Sequence, residues 1–197
     1  MSSAGEKETL QRYLDKARTQ LVAKLDGLDE LEIRRPMTPT GTNLLGLVKH
    51  VASVQLGYLG EVFGRPSEIA LPWFDDGAEL NADLWATPEE TRESILELHR
   101  GSAAHADATV AALELDARGV VPWWRPENRE VTLHQILVHL IDETARHAGH
   151  ADILRELIDG RAGNDDGNLP GAGEVDWPDY RRRIEAAAVE AAARDDG

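Results

Sequence analysis

The chain predicts an all-α fold: a bundle of four long helices joined by long connections, with an additional C-terminal helix. Three observations carry this. Apolar residues recur at three- and four-residue steps over four long segments, no segment alternates strictly as a half-buried strand does, and proline and glycine punctuate the intervals between the four. At 197 residues the whole chain, 1–197, is expected to form one domain able to bury its own core, with the bundle over about 7–160.

The first helix is expected from Glu6 to about Leu28, where Leu10, Tyr13, Leu14, Ala17, Leu21, Leu25 and Leu28 line one face. Pro36 and Pro39 then block helix over 35–41, and Thr40 or Thr42 can cap the next helix. That second helix runs from about Asn43 to Phe63 and is stopped by Gly64 and Pro66. Residues 65–86 form a long excursion without sustained periodicity, and loops of this length in compact domains are often functional. Its carboxylates Asp75, Asp76, Glu79 and Asp83 do not match a calcium loop and read as solvated.

Thr87-Pro88-Glu89-Glu90 combines a threonine cap, proline at the first helical position and a glutamate at the third, so the third helix is expected from there to about Leu115. His99 and His105 are six residues apart on it and so face opposite sides, as surface or core-edge histidines. The connection 116–130 carries Trp123 and Trp124, which either plug the end of the bundle or wall a ligand pocket. Thr132 with Gln135 caps the fourth helix, which extends to Gly160. Residues 161–176, rich in Gly, Asn and Asp, read as a flexible connection, and Trp177-Pro178 opens a last, alanine-rich helix over about 177–194.

A net charge of -15, with 36 acidic and 21 basic residues and no long basic stripe, argues against nucleic acid as a partner. No apolar run reaches the roughly 20 residues needed to cross a bilayer, and the N-terminus lacks the pattern of a signal peptide, so a cytoplasmic location without membrane association is expected. There is no cysteine. Thiolate ligands, a cysteine nucleophile and disulfides are thereby excluded, and any thiol chemistry must use a thiol brought in by a small molecule.

The fourth helix carries His139, Glu143, His147 and His150. At about 100° per residue all four fall within an arc of roughly 80°, which grades into the apolar face of Leu133, Leu140, Ala151 and Ile158. Ionisable groups aimed at a core cost several kcal/mol unless paired, hydrogen-bonded or coordinated. A divalent cation answers that need, and so does a buried Glu–His hydrogen bond without metal. Two ligands from one helix under-coordinate an ion, so a metal requires a third from a facing helix. His50, at the edge of the second helix's apolar arc and flanked by Gly46 and Gly57, is the candidate; the alternative is a core-edge histidine bonded to a carbonyl.

The segment TPTGTNLLGLVKHVASVQLGYLGEVFGR, the paired tryptophans and VTLHQILVHLIDETARHAGHADILRELIDG together resemble the DinB-like superfamily, the YfiT-like metal-dependent proteins, over about residues 7 to 160. The resemblance is closest to the actinobacterial branch of mycothiol-dependent transferases. It implies a DinB-like four-helix bundle, often a homodimer, with a divalent metal held by His50 from the second helix and by Glu143 and His147 from the fourth. The family commonly has histidine where this chain has Glu143, a departure that shifts preference toward harder ions, with zinc still the leading choice and nickel, iron and manganese compatible. His139 is the rival for the pair, and His150 a candidate outer partner or proton acceptor.

The implied activity is that of a thiol S-transferase, joining mycothiol or another small thiol to an electrophile beside the metal. Two other readings are a thiol-dependent isomerase of the maleylpyruvate isomerase type and a non-catalytic metal-binding or stress-associated bundle.

Overall fold

A computed structural model describes residues 3–163 and 173–195. The chain divides into two compact units, Met1–Gly160 and Arg161–Gly197. In the first, the helices are α1 (Ser3–Ala23), α2 (Glu30–Arg34), α3 (Leu44–Leu59), α4 (Arg92–Ala112) and α5 (Leu133–Asp159). Strands β1 (Arg118–Val120) and β2 (Glu130–Thr132) form a small antiparallel ribbon with Gly119 opposite Val131. The fold is predominantly α-helical, as the periodicity predicts.

Helix α1 packs along α5, and α3 lies against both α4 and α5. The apolar faces meet in contiguous buried clusters, one built around Leu21, Leu45, Val48, Ile95 and Leu154, another around Leu14, Leu59, Val110, Ile136 and Leu140. Burial of such side chains, at roughly 1.5–3 kcal/mol each, is the main favourable term in the fold. Arg155 on α5 is bonded within the interior, donating to the carbonyls of Lys24 and Asp26 just beyond α1, at 2.9 and 2.7 Å.

Several boundaries differ from the sequence expectation. Helix α1 ends at Ala23, and a turn with Gly27 at φ 76 carries Leu25 and Leu28 into the core without helix. The short α2 after it is fixed by a reciprocal cap, Asp29 accepting from the Glu32 N–H and Glu32 from the Asp29 N–H, both at 2.8 Å. The cap of α3 is Asn43, accepting from the Gly46 N–H at 2.8 Å, because Thr42 is already engaged in a turn with Met37 and Thr38. Helix α4 starts at Arg92, capped by Thr91, rather than at Thr87. Helix α5 begins and ends as expected, capped by Thr132 and closed by Gly160 at φ 80. In the second unit α6 (Trp177–Asp195) opens where the Trp-Pro pair indicates, while residues 164–172 of the expected flexible connection lie outside the described residues.

His99 is buried on α4, and its Nε2 has no protein partner. Burial, followed by the charges of Arg18 and Arg100, pushes its pKa down to about 4. Its neutral form is favoured in the fold, so this contribution to stability is intact above about pH 6.5 and is lost as the pH falls toward 4. The loss amounts to on the order of 3 kcal/mol. A His99→Leu protein is expected to show a flatter acid limb in thermal melts between pH 6.5 and 4 than the parent; parallel limbs would refute the assignment.

Candidate metal centre

Helices α3 and α5 pack so that His50, one residue before the buried Val51, faces Glu143 and His147, one turn apart on α5. One ligand atom from each of the three lies within 4.8 Å of the others. Glu143 Oε1 sits 3.0 Å from His147 Nε2 and 3.4 Å from His50 Nε2. The two imidazole rings meet edge to face, their centroids 4.9 Å apart. Donors on a tetrahedral zinc ion, at bonds of about 2.1 Å, stand about 3.4 Å apart, so small side-chain shifts would bring all three onto one ion. The donor set, two imidazoles and a carboxylate, suits a divalent cation.

Of the sequence candidates, the structure brings together His50, Glu143 and His147 and leaves His139 and His150 outside that trio. His139 stands against Tyr58 and Trp124, ring centroids 4.6 and 5.2 Å away, and burial pushes its pKa down. His150 is exposed, with its ring 5.5 Å from that of His147.

A fourth residue, Asp83, belongs to the site, although its sequence context groups it with the solvated acids. Asp75, Asp76 and Glu79 are exposed, whereas Asp83 is buried and accepts from His50 Nδ1–H at 2.5 Å. A carboxylate on the far nitrogen fixes the ring and leaves Nε2 directed at the point shared with Glu143 and His147.

The excursion that carries Asp83 is strapped to α3. Lys49 Nζ donates to the carbonyls of Ala82 and Trp85 at 2.8 and 3.0 Å and pairs with Glu90 at 2.7 Å. Asn43 Nδ2 donates to the Leu84 carbonyl at 3.2 Å, and Trp73 Nε1 to Ser53 Oγ at 3.0 Å. Gly46 is required here, since a Cβ on it would fall 1.9 Å from the Leu84 carbonyl oxygen. The room that Gly46 leaves on α3 is thus taken by the strap backbone. Asn81 turns the chain into Asp83 at φ 64, a left-handed conformation that asparagine tolerates better than most residues.

Charge is concentrated at this point. Burial opposes protonation of His50, but the hydrogen bonds and charges of Asp83 and Glu143 outweigh it and raise its pKa to about 9. Bonds from His147 and His50 hold the Glu143 carboxyl well below the usual carboxylate range. Burial works against ionisation of Asp83, and the bond to His50 overcomes it, lowering its pKa. Two carboxylates held ionised around His50 make an anionic cradle, and a divalent cation bound to it would displace the imidazole proton.

The paired tryptophans divide between the two roles open to them. Both donate from Nε1 to Tyr58 Oη, at 3.2 Å for Trp123 and 2.9 Å for Trp124. Trp124 packs on the core as a plug, while Trp123 is half exposed and walls a cavity beside α3.

No helix among the described residues is long and apolar enough to cross a membrane. A model of the family described as mycothiol-S-transferase matches residues 9–160, a span that contains His50, Asp83, Glu143 and His147. The comparison with curated proteins returns no match.

Proposed function

From the chain's membership of the mycothiol S-transferase family, we propose that this protein is a metal-dependent enzyme joining the thiol of mycothiol to a small electrophile. The observation that carries the metal dependence is the convergence of His50, Glu143 and His147 within 4.8 Å. His50 Nε2, the Glu143 carboxylate and His147 Nε2 would hold a divalent ion, with zinc the first choice for this donor set. Such an ion supplies an open position at which a thiol ionises near neutral pH. The chain's own residues orient and neutralise: Asp83 fixes the His50 ring, and Glu143 contributes the negative charge that balances the cation. In the transfer, sulfur forms a bond to the electrophilic carbon, the leaving group departs with its electron pair, and the thiol proton passes to solvent. The protein has no cysteine, so none of its own thiols competes for metal or electrophile.

The test is to incubate protein with mycothiol and a chromogenic electrophile, before and after metal removal by a chelator. Chelator-sensitive conjugation, restored by added zinc, supports the reading. Conjugation indifferent to complete metal removal would place the chemistry elsewhere, and an absence of conjugation with mycothiol or any common thiol would favour a non-catalytic metal-binding protein.

The Asp83 contact makes a separate prediction. An Asp83→Asn protein keeps the shape of the side chain but loses its charge on His50 Nδ1, and its metal affinity is expected to fall by roughly 10–100-fold. Competition with a chromogenic chelator measures this; an unchanged affinity would show that Asp83 does not support the centre.

A further inference from the structure

Two cavities adjoin α3 on opposite sides of His50 along the helix. Toward the N-terminus is a trough of about 410 Å³ whose lining mixes Thr42, Asn43, His147 and His150 with Leu47 and Trp85. Toward the C-terminus is a cavity of about 420 Å³ lined by Val54, Gly57, Tyr58, Leu71, Phe74 and Trp123 together with the polar Ser53 and Glu61. Both fall in the size range of small-molecule sites, roughly 300–1,000 Å³. Both linings are mainly apolar; the first adds hydroxyl, amide and imidazole groups, and the second is dominated by aromatic and aliphatic surface.

The second cavity shares a helical face with the metal centre. Val54 and Gly57 lie four and seven residues after His50, which places them within about 40° of it on the helix and about 6 and 10 Å along the axis. Glycine within a helix costs roughly 1 kcal/mol relative to alanine, so Gly57 has no helix-forming rationale. Its effect is space: a Cβ there would lie 3.3 Å from the tip of the Trp123 ring. The walls come from three separate segments, α3, the strap through Leu71 and Phe74, and the tryptophan connection, so the cavity is built by the tertiary fold.

We propose that this cavity binds the apolar, aromatic-sized body of the electrophile, with Gly57 setting the size it accepts. The assignment rests on the thiol-transferase reading above. Trp123, Tyr58 and Phe74 supply flat surface for an aromatic ring, and the shared face of α3 directs its reacting carbon toward His50.

The test compares two electrophiles of different size with mycothiol and zinc-loaded protein: 1-chloro-2,4-dinitrobenzene and iodoacetamide. In Gly57→Leu the branched side chain enters the cavity, and kcat/KM for the dinitrobenzene is expected to fall by about tenfold or more while that for iodoacetamide changes less than about twofold. Metal content should match the parent. A second measurement needs no turnover: quenching of tryptophan fluorescence by unreactive 1,3-dinitrobenzene in metal-free protein, saturable in the parent and weakened in Gly57→Leu and in Phe74→Ala. Phe74 is half exposed, so its truncation leaves the core intact. An equal loss for both electrophiles, or unchanged discrimination with unchanged quenching, would overturn the assignment. If the parent conjugates neither electrophile, the transferase reading fails, and the quenching result alone then decides whether the cavity is an aromatic-binding site.

Discussion

Replacement of His147 by alanine is expected to strip the protein of its metal. His147 Nε2 lies 3.0 Å from Glu143 Oε1 and faces the His50 ring, so its removal leaves two donors from two different helices. The loss of affinity should exceed the roughly 10–100-fold typical of an outer hydrogen-bonding partner, because a direct donor is gone. His50→Ala is expected to behave alike, and more severely in one respect: Asp83, buried in contact with His50, would be left without its imidazole partner. His139→Ala and His150→Ala are the controls. Their rings stand with Tyr58 and Trp124 in one case and near solvent in the other, and both proteins should retain metal like the parent. Elemental analysis of each protein as isolated, followed by competition titration, gives the ranking. Stoichiometric metal in His147→Ala, or its loss from His139→Ala alone, would overturn the assignment of the centre.

Legibility in the sequence divides along physical lines. Long amphipathic segments announce themselves, because burying one face imposes a repeat of 3.6 residues, and α1, α3, α4 and α5 are readable on that ground. The residues themselves offer His50 and four candidates on α5, and i, i+4 spacing fits His139 with Glu143 as well as Glu143 with His147, so it is the family resemblance that singles out the trio His50, Glu143 and His147. Asp83 is not. Nothing near it in sequence separates it from Asp75, Asp76 and Glu79; what buries it is the set of bonds that Lys49, Asn43 and Ser53 make from α3, all distant in sequence. The one local signal is a lysine beside His50 on an otherwise apolar helix, which requires an acid from elsewhere.

The start of α4 departs from its local signal for the same reason. Thr87 and Glu90 do form half of a capping box, Glu90 accepting from the Thr87 N–H at 2.7 Å. The Glu90 carboxylate is also claimed by Lys49, which holds this turn against α3 and delays the helix to Thr91. A tertiary ion pair thus overrides a local cap. The ribbon of β1 and β2 leaves no sequence signal because three residues per strand are too few to show alternation.

That ion pair carries the largest stability effect expected of a single substitution near the site. The Lys49 side chain is 2% exposed and that of Glu90 21%, so the pair is largely withdrawn from water. The ammonium also lies over the Trp73 ring, 4.0 Å from its centroid. Replacing Glu90 by alanine leaves a buried cation with two carbonyls, a ring face and only the more distant charge of Asp83, at a cost of about 3 kcal/mol. For a chain of this size that lowers Tm by roughly 6–12 °C. Because Lys49 holds the carbonyls on either side of Asp83, the strap is expected to loosen and metal affinity to fall with stability. Asp83→Asn should separate the two effects, weakening metal binding with a smaller drop in Tm than Glu90→Ala, since Lys49 and Glu90 stay paired. The double variant Lys49→Met, Glu90→Gln removes the buried charge together with its partner and should recover part of the lost stability, since an apolar side chain of similar length replaces a desolvated ion. A Glu90→Ala protein that melts within about 2 °C of the parent would show that the pair does not anchor the strap, and the position of Asp83 would then have to be set by the Asn43 and Trp73 contacts alone.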